Sequence, residues 1–130
     1  MVVCTGGEPL LQLDAVAVDA LHARGFEVAV ETNGTRLPPP GIDHLCVSPK
    51  ADAPLALTHG HELKLVYPQR HPDAQPERFA DLDFGDFFLQ PLDAGSPEES
   101  ARNVQAALAY CLAHPRWRLS LQTHKLLQIR

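Results

Sequence analysis

Five short apolar runs in this sequence each stop at a cluster of groups able to bind a ligand or exchange protons. Val2-Val3-Cys4 runs into Thr5-Gly6-Gly7-Glu8-Pro9, and Val28-Ala29-Val30 into Glu31-Thr32-Asn33-Gly34-Thr35. Leu45-Cys46-Val47 runs into Ser48-Pro49-Lys50, and Phe88-Leu89 into Gln90-Pro91-Leu92-Asp93. Leu119-Ser120-Leu121 runs into Gln122-Thr123-His124-Lys125. Gly6-Gly7 bares backbone N–H and C=O groups, so a ligand can approach the main chain directly. Ser48 and Lys50 could hold a carboxylate through a hydroxyl and a charge-assisted hydrogen bond; on spacing alone Lys50 reads equally well as a solvated lysine. Glu8 could hold an ammonium group or be solvated in its loop. Gln90 offers donor and acceptor together, as an adenine-like edge requires. His124 could bond a polar ligand or do acid–base work, or be a satisfied polar residue. One such ending is ordinary turn chemistry. Five together favour a shared site, because in α/β sheets ligands gather where the C-terminal ends of the strands converge.

The elements that must position these groups follow from periodicity and punctuation. Val2 to Thr5 reads as a buried strand feeding a glycine turn. Asp14 is an N-cap for a helix through Arg24, with Val18 and Leu21 on one face and Gly25 beyond its end. Phe26 to Glu31, Leu45 to Ser48, Glu62 to Val66 and Phe87 to Gln90 read as strands. Pro38-Pro39-Pro40-Gly41 reads as an exposed, rigid connector rather than a polyproline ligand. Tyr67 to Asp83, with three prolines and many charges, predicts a long surface excursion holding at most one helical turn. Ser96-Pro97-Glu98-Glu99 is a capping box opening a helix whose Val104, Leu108, Cys111 and Leu112 share a face, and His114-Pro115 ends it. Arg118 to Gln122 alternates, with Leu119 and Leu121 inward, and Trp117 reads as packing. Strands and helices interleave, but several connections are too short for a helix. The fold class is therefore α/β, a partial barrel built on a mostly parallel, curved sheet.

The 130 residues fit one domain, 1–130, and 45% hydrophobic positions exclude a disordered tail. With 16 acidic against 11 basic side chains the formal charge is −5, which argues against non-specific nucleic-acid binding. No apolar run approaches the roughly 18 residues that would cross a bilayer, and Met1-Val2-Val3-Cys4 lacks the pattern of a signal peptide. Cys4, Cys46 and Cys111 are unclustered; they fit a reduced, cytoplasmic setting and form neither a disulfide framework nor a metal site. His59-Gly60-His61 lacks the spacing and partners of a metal site. There is no G-x-S-x-G elbow, P-loop or H-E-x-x-H.

Taken in order, Thr5 to Asp14, Glu31 to Thr35, Cys46-Val47-Ser48-Pro49-Lys50, Glu62-Leu63-Lys64, Gln90-Pro91 and Gln122-Thr123-His124-Lys125 resemble the 7-carboxy-7-deazaguanine synthases, radical S-adenosylmethionine enzymes of queuosine biosynthesis. The Gly-Gly-Glu-Pro element is shared across that superfamily; the ordered set, which runs from Met1 to Arg130, is far more specific. The resemblance implies a carbon–nitrogen lyase, turning 6-carboxy-5,6,7,8-tetrahydropterin into 7-carboxy-7-deazaguanine with release of ammonia. It implies S-adenosylmethionine, a [4Fe-4S] cluster and Mg²⁺ as cofactors, with a pterin substrate, an electron donor and a second copy of the chain as partners. Carried over by motif, Gly7, Ser48, Pro49, Lys50 and Gln90, Pro91, Leu92, Asp93 meet S-adenosylmethionine. Thr5, His124 and the terminal carboxylate at Arg130 meet the pterin.

The same resemblance implies that the cluster cysteines, an early substrate segment and the Mg²⁺ contact lie upstream of this chain. The sequence is therefore expected to be the C-terminal part of such an enzyme, without the opening strands and inactive alone. Cys4, Cys46 and Cys111 fall outside that cluster motif and read as small hydrophobes on strands and a helix face. Two rival readings stand beside this one: another radical S-adenosylmethionine enzyme, of the activase type, and a non-enzymatic module that binds S-adenosylmethionine or another nucleotide.

Overall fold

Parallel strands cannot be joined by a tight hairpin, so each step from one strand to its parallel neighbour requires a crossover. The computed structural model describes residues 1–127 and 129. Among them, six strands form one all-parallel sheet in the order of the chain: β1 (Val2–Cys4), β2 (Val28–Thr32), β3 (His44–Val47), β4 (His59–Tyr67), β5 (Asp83–Pro91) and β6 (Trp117–Leu119). Sequential parallel order is the topology of a barrel opened along one seam, as the sequence predicts. Helix α1 (Ala15–His22) carries the first crossover and α2 (Pro97–Ala113) the last; a short α3 (Thr123–Leu126) follows β6.

The helix starts follow from their caps. Asp14 accepts the Ala17 N–H at 2.8 Å, and Ser96 accepts the Glu99 N–H at 3.3 Å ahead of Pro97. Val18, fully buried on α1, and half-buried Leu21 pack on the sheet as their spacing predicts. The apolar stripe of α2 is rotated from its predicted position. Asn103 and Ala107 are buried, with Tyr110 and Cys111 against the core, whereas Leu108 and Leu112 are exposed. The cause is polar: the Asn103 amide donates to the Leu92 carbonyl at 2.8 Å, and small Ala107 lets the helix sit close to the sheet.

Three further expectations are corrected. Strands β4 and β5 begin at His59 and Asp83, several residues before the predicted Glu62 and Phe87, because their ladder continues through His59–Asp83 and Gly60–Phe84. The segment from Tyr67 to Asp83 holds two 3₁₀ turns, Pro72–Ala74 and Pro76–Phe79, each with proline in its first turn. It is not purely a surface excursion, for Ala74, Pro76 and Phe79 are buried. Strand β6 stops at Leu119, and Leu121 is exposed, because Ser120 N–H makes a last bond to the Leu89 carbonyl before the chain turns away.

One face of the sheet is the core. Val28, Val30, Leu45, Val47, Leu63, Leu65, Phe87, Leu89 and Trp117 are buried there, and Trp117 meets the Phe87 ring edge-on at 5.2 Å. At the opposite end from the strand-end clusters, Asp43 ties the β2–β3 crossover down. Its carboxylate accepts the Val28 N–H at 2.7 Å and lies 2.8 Å from His22 Nε2. The Val28 bond first, and His22 second, hold the Asp43 carboxyl below its ordinary value of 3.8. A depressed folded pKa means stabilisation that is complete above the unfolded pKa and lost as pH falls through the folded one. Asp43→Asn is therefore expected to flatten the acid limb: between about pH 5 and pH 3 the urea midpoint of the unaltered chain should fall more steeply than that of the variant. Parallel slopes for the two proteins would rule the tie out as a source of acid sensitivity.

Candidate functional site

Because every strand runs the same way, all six strand ends meet at one edge. A cleft of about 400 Å³ opens there. The turn after β1 contributes Thr5, Gly6 and Gly7; the loop after β3 contributes Ser48 and Lys50; β5 contributes Gln90, and the segment after β6 contributes Gln122. Thr5, Gly7, Ser48, Lys50 and Gln90, which come from three of the five strand endings singled out in the sequence, are thus brought together. Pro49 lines a neighbouring cleft of about 510 Å³ that shares Lys50. Pro91, Leu92 and Asp93 line a smaller, mostly apolar cavity of about 220 Å³ between β5 and α2, which shares Gln122 with the main cleft. Asp93 accepts from Gly95 N–H at 3.2 Å and from the Ser100 hydroxyl at 3.3 Å, which shapes the loop into α2. His124 is exposed on α3 and is not among the residues lining these three spaces. Arg130 lies outside the described residues.

Gly6 and Gly7 adopt φ of +87° and +57°, the left-handed region that other residues enter at a cost. A Cβ on either would meet nothing within 4 Å, so conformation rather than crowding demands glycine here. The Lys50 ammonium donates to Ser48 Oγ at 3.2 Å. The hydroxyl and the charge are therefore side by side, as holding one carboxylate would require.

The floor of the cleft holds groups to which the sequence reading assigned no role. Lys64 on β4 donates to Glu31 on β2 at 3.0 Å, reaching past the intervening strand β3. Burial alone would lower the Lys64 ammonium. The Glu31 hydrogen bond, with the charges of Glu31 and Glu62, outweighs it and leaves the pKa raised above 10.5. Half-exposed on its carboxylate side, the pair contributes at most about 1 kcal/mol to stability; its consequence is a fixed donor–acceptor couple facing the ligand space. The available signal was the alternation of Glu62-Leu63-Lys64-Leu65-Val66, which puts Lys64 on the face opposite the core. Its partner across two strands was invisible without the register.

Glu8 also has a part in the fold that its loop position did not reveal. It is half-buried, and its carboxylate caps the 3₁₀ turn Pro9–Leu11 through Leu10 N–H at 3.1 Å. His61 is likewise committed to the fold: its Nδ1 accepts the Leu45 N–H at 2.9 Å, and its ring stacks on His44 at 4.9 Å. Cys46 is 3% exposed, and desolvation first, with nearby Glu62 and Glu31, pushes its thiol up to about 12 against the pull of Lys64. Metal binding requires a thiolate. Cys4 and Cys111, half-buried, lie on β1 and α2. Among the described residues no three His, Cys, Asp or Glu side chains are grouped to hold a metal ion.

No family model matches the chain. Curated relatives match it along nearly its whole length. It is 65% identical over 127 residues to a 7-carboxy-7-deazaguanine synthase of Caulobacter vibrioides, covering 98% of this chain and 58% of that protein. It is 62% identical over 128 residues to one of Bordetella pertussis, covering 98% and 59%. A more distant relative of the same name, from Bacteroides thetaiotaomicron, is 42% identical over 130 residues, covering 99% and 65%. The chain thus spans about three fifths of the length of these relatives.

The protonation state of Cys46 can be tested directly. In native protein at about pH 8, iodoacetamide followed by peptide mass spectrometry should modify Cys4 and Cys111 and spare Cys46 until urea unfolds the chain. Alkylation of Cys46 in the folded state at the rate of a free thiol would show it neither buried nor neutral.

Proposed function

Since the chain belongs to the 7-carboxy-7-deazaguanine synthase family, we propose that its cleft is the S-adenosylmethionine and pterin floor of such an enzyme. The observation that carries this proposal is the convergence of Thr5, the Gly6–Gly7 turn, Ser48, Lys50 and Gln90 on one polar space at the strand ends. The activity proposed for the whole enzyme is radical ring contraction of 6-carboxy-5,6,7,8-tetrahydropterin to 7-carboxy-7-deazaguanine with loss of ammonia. A homodimeric, cytoplasmic enzyme served by an electron donor belongs to the same proposal.

The residues present suit S-adenosylmethionine. Bare carbonyls of the glycine turn accept the methionyl ammonium, and Ser48 and Lys50 hold its carboxylate by a charge-assisted bond. Gln90 with Pro91, Leu92 and Asp93 receives the adenosine end along the small apolar cavity beside α2. Thr5 and the Glu31–Lys64 couple face the remaining space, which suits a polar heterocycle carrying both donors and acceptors. Bound S-adenosylmethionine supplies a radical once a reduced [4Fe-4S] cluster is present. The described residues do not suit that cluster, since the Cys46 thiol is buried and neutral and no metal-holding group forms around Cys4 or Cys111. Nor do they offer a grouped site for Mg²⁺.

This division of labour is testable on the chain itself. S-adenosylmethionine should bind by isothermal titration, with Lys50→Ala weakening it by about tenfold, the loss of one charge-assisted bond. Anaerobic iron–sulfur reconstitution should produce no [4Fe-4S] absorbance band. A band accompanied by cleavage of S-adenosylmethionine would overturn the assignment of the cluster to residues outside this chain.

A further inference from the structure

The main cleft continues into a second one. A larger cleft of about 760 Å³ runs between the segment after β4 and the start of α2, and the two share Lys50 and Val66. Arg70 lines it from the β4 side and Glu99 from the helix. Arg70 is exposed, and among the described residues its guanidinium has no hydrogen-bond or ion-pair partner. The backbone around it is nonetheless fastened down. Gln69 donates its amide to the Val66 carbonyl at 2.9 Å, and the Gln75 amide donates to the Gln69 and His71 carbonyls at 2.8 and 2.9 Å. These side-chain bonds hold a short loop whose own cation is left open to the groove. A merely solvated arginine would need no such support.

Electrostatics give this groove a use. The chain carries a formal charge of −5, so an approaching anion is repelled on average, and a cationic lane raises its rate of encounter. Lys50 stands where the two clefts join, and in the cofactor assignment above it is engaged by the methionyl carboxylate. Arg70 is then the cation still open on the larger cleft. We propose that this groove is the entrance by which the carboxylated pterin reaches the main cleft, with Arg70 as its steering residue. The inference rests on the pterin assignment above and extends it, because Arg70 acts on the approach rather than on the bound ligand. Glu99, of opposite sign on the facing wall, works against it. S-adenosylmethionine, whose sulfonium leaves it a net cation, gains nothing from such a lane.

Stopped-flow mixing of the chain with 6-carboxypterin, a fluorescent oxidised relative of the proposed substrate, reads the association rate. At about 20 mM salt, Arg70→Glu should slow association about fivefold and leave the dissociation rate within about twofold. The gap should close at about 0.5 M salt, where the screening length falls to about 4 Å. Arg70→Lys, which keeps the charge, should associate as the unaltered chain does, and Glu99→Gln should associate about twofold faster. S-adenosylmethionine should associate with Arg70→Glu no more slowly than with the unaltered chain. An unchanged rate for 6-carboxypterin, a loss that survives high salt, or an equal loss for S-adenosylmethionine overturns the proposal. If 6-carboxypterin does not bind the unaltered chain, the pterin assignment fails, and the groove is judged on the Arg70 Nε–H resonance. A shift with 6-carboxypterin but none with unsubstituted pterin supports an anion entrance at Arg70; shifts with both or with neither overturn it.

Discussion

The register of one buried row governs everything above it. Thr32, Val47, Leu63, Phe87 and Trp117 stand side by side across five parallel strands, and none is more than 4% exposed. One residue earlier, on the opposite face, stand Glu31, Cys46, Glu62 and Asp86. A slip of a single residue in β2, β4 or β5 would exchange its members of these two rows, pushing a carboxylate into the core. Each large apolar side chain in the row gains about 1.5–3 kcal/mol by burial. The register is thus fixed far from the ligand, by apolar contacts. The strand ends a few residues onward inherit their alignment from it.

That inheritance explains how a sheet with few helices can carry a site. Among the described residues, α1 and α2 alone cover the sheet as full helical crossovers; the connections between β2 and β5 do so with loops and 3₁₀ turns. These loops are packed rather than loose. Leu57 and Phe79 enter the core cluster, and Tyr110 on α2 donates to Glu77 at 2.8 Å, clamping the Pro76–Phe79 turn against the helix. The Gly34 turn is closed by Ala56 and Leu57 N–H groups donating to its carbonyl. Here glycine is required twice over. Its φ is +79°, and a Cβ would meet Leu55 and Val47 side-chain carbons at 2.6 Å.

Polar groups near the cleft divide by what the neighbouring strand leaves for them. Glu8 and Glu31 both follow or end an apolar strand, and their types do not distinguish them. Glu8 is drawn into three bonds because two backbone amides and a hydroxyl converge on it. Glu31, on the polar face, is paired with a lysine two strands away. Where a strand ending offered a group with its partner close in sequence, as Ser48 and Lys50 do, the chemistry was legible from the residues. Where the partner came through the register, as for Glu31 with Lys64 or Glu8 with Thr32, it was not. The rotated face of α2 has the same origin. Hydrophobicity marked Leu108 and Leu112 as inward, and the bond from Asn103 to the Leu92 carbonyl, unreadable from periodicity, turned them out.

The sequence by itself determined the alternation of strands and helices, the caps at Asp14 and Ser96, the glycine turn, and the strand endings that carry polar groups. These are local properties: each depends on residues within about one helical turn or one hairpin's reach. Only the tertiary structure decided which endings share a cleft, and which carboxylate is tied into the fold. It also decided that the Cys46 thiol stays neutral and that the strands extend back to His59 and Asp83. Those outcomes depend on which strands are neighbours and in what register. The physical cause is the parallel sheet, which aligns groups dozens of residues apart at one edge.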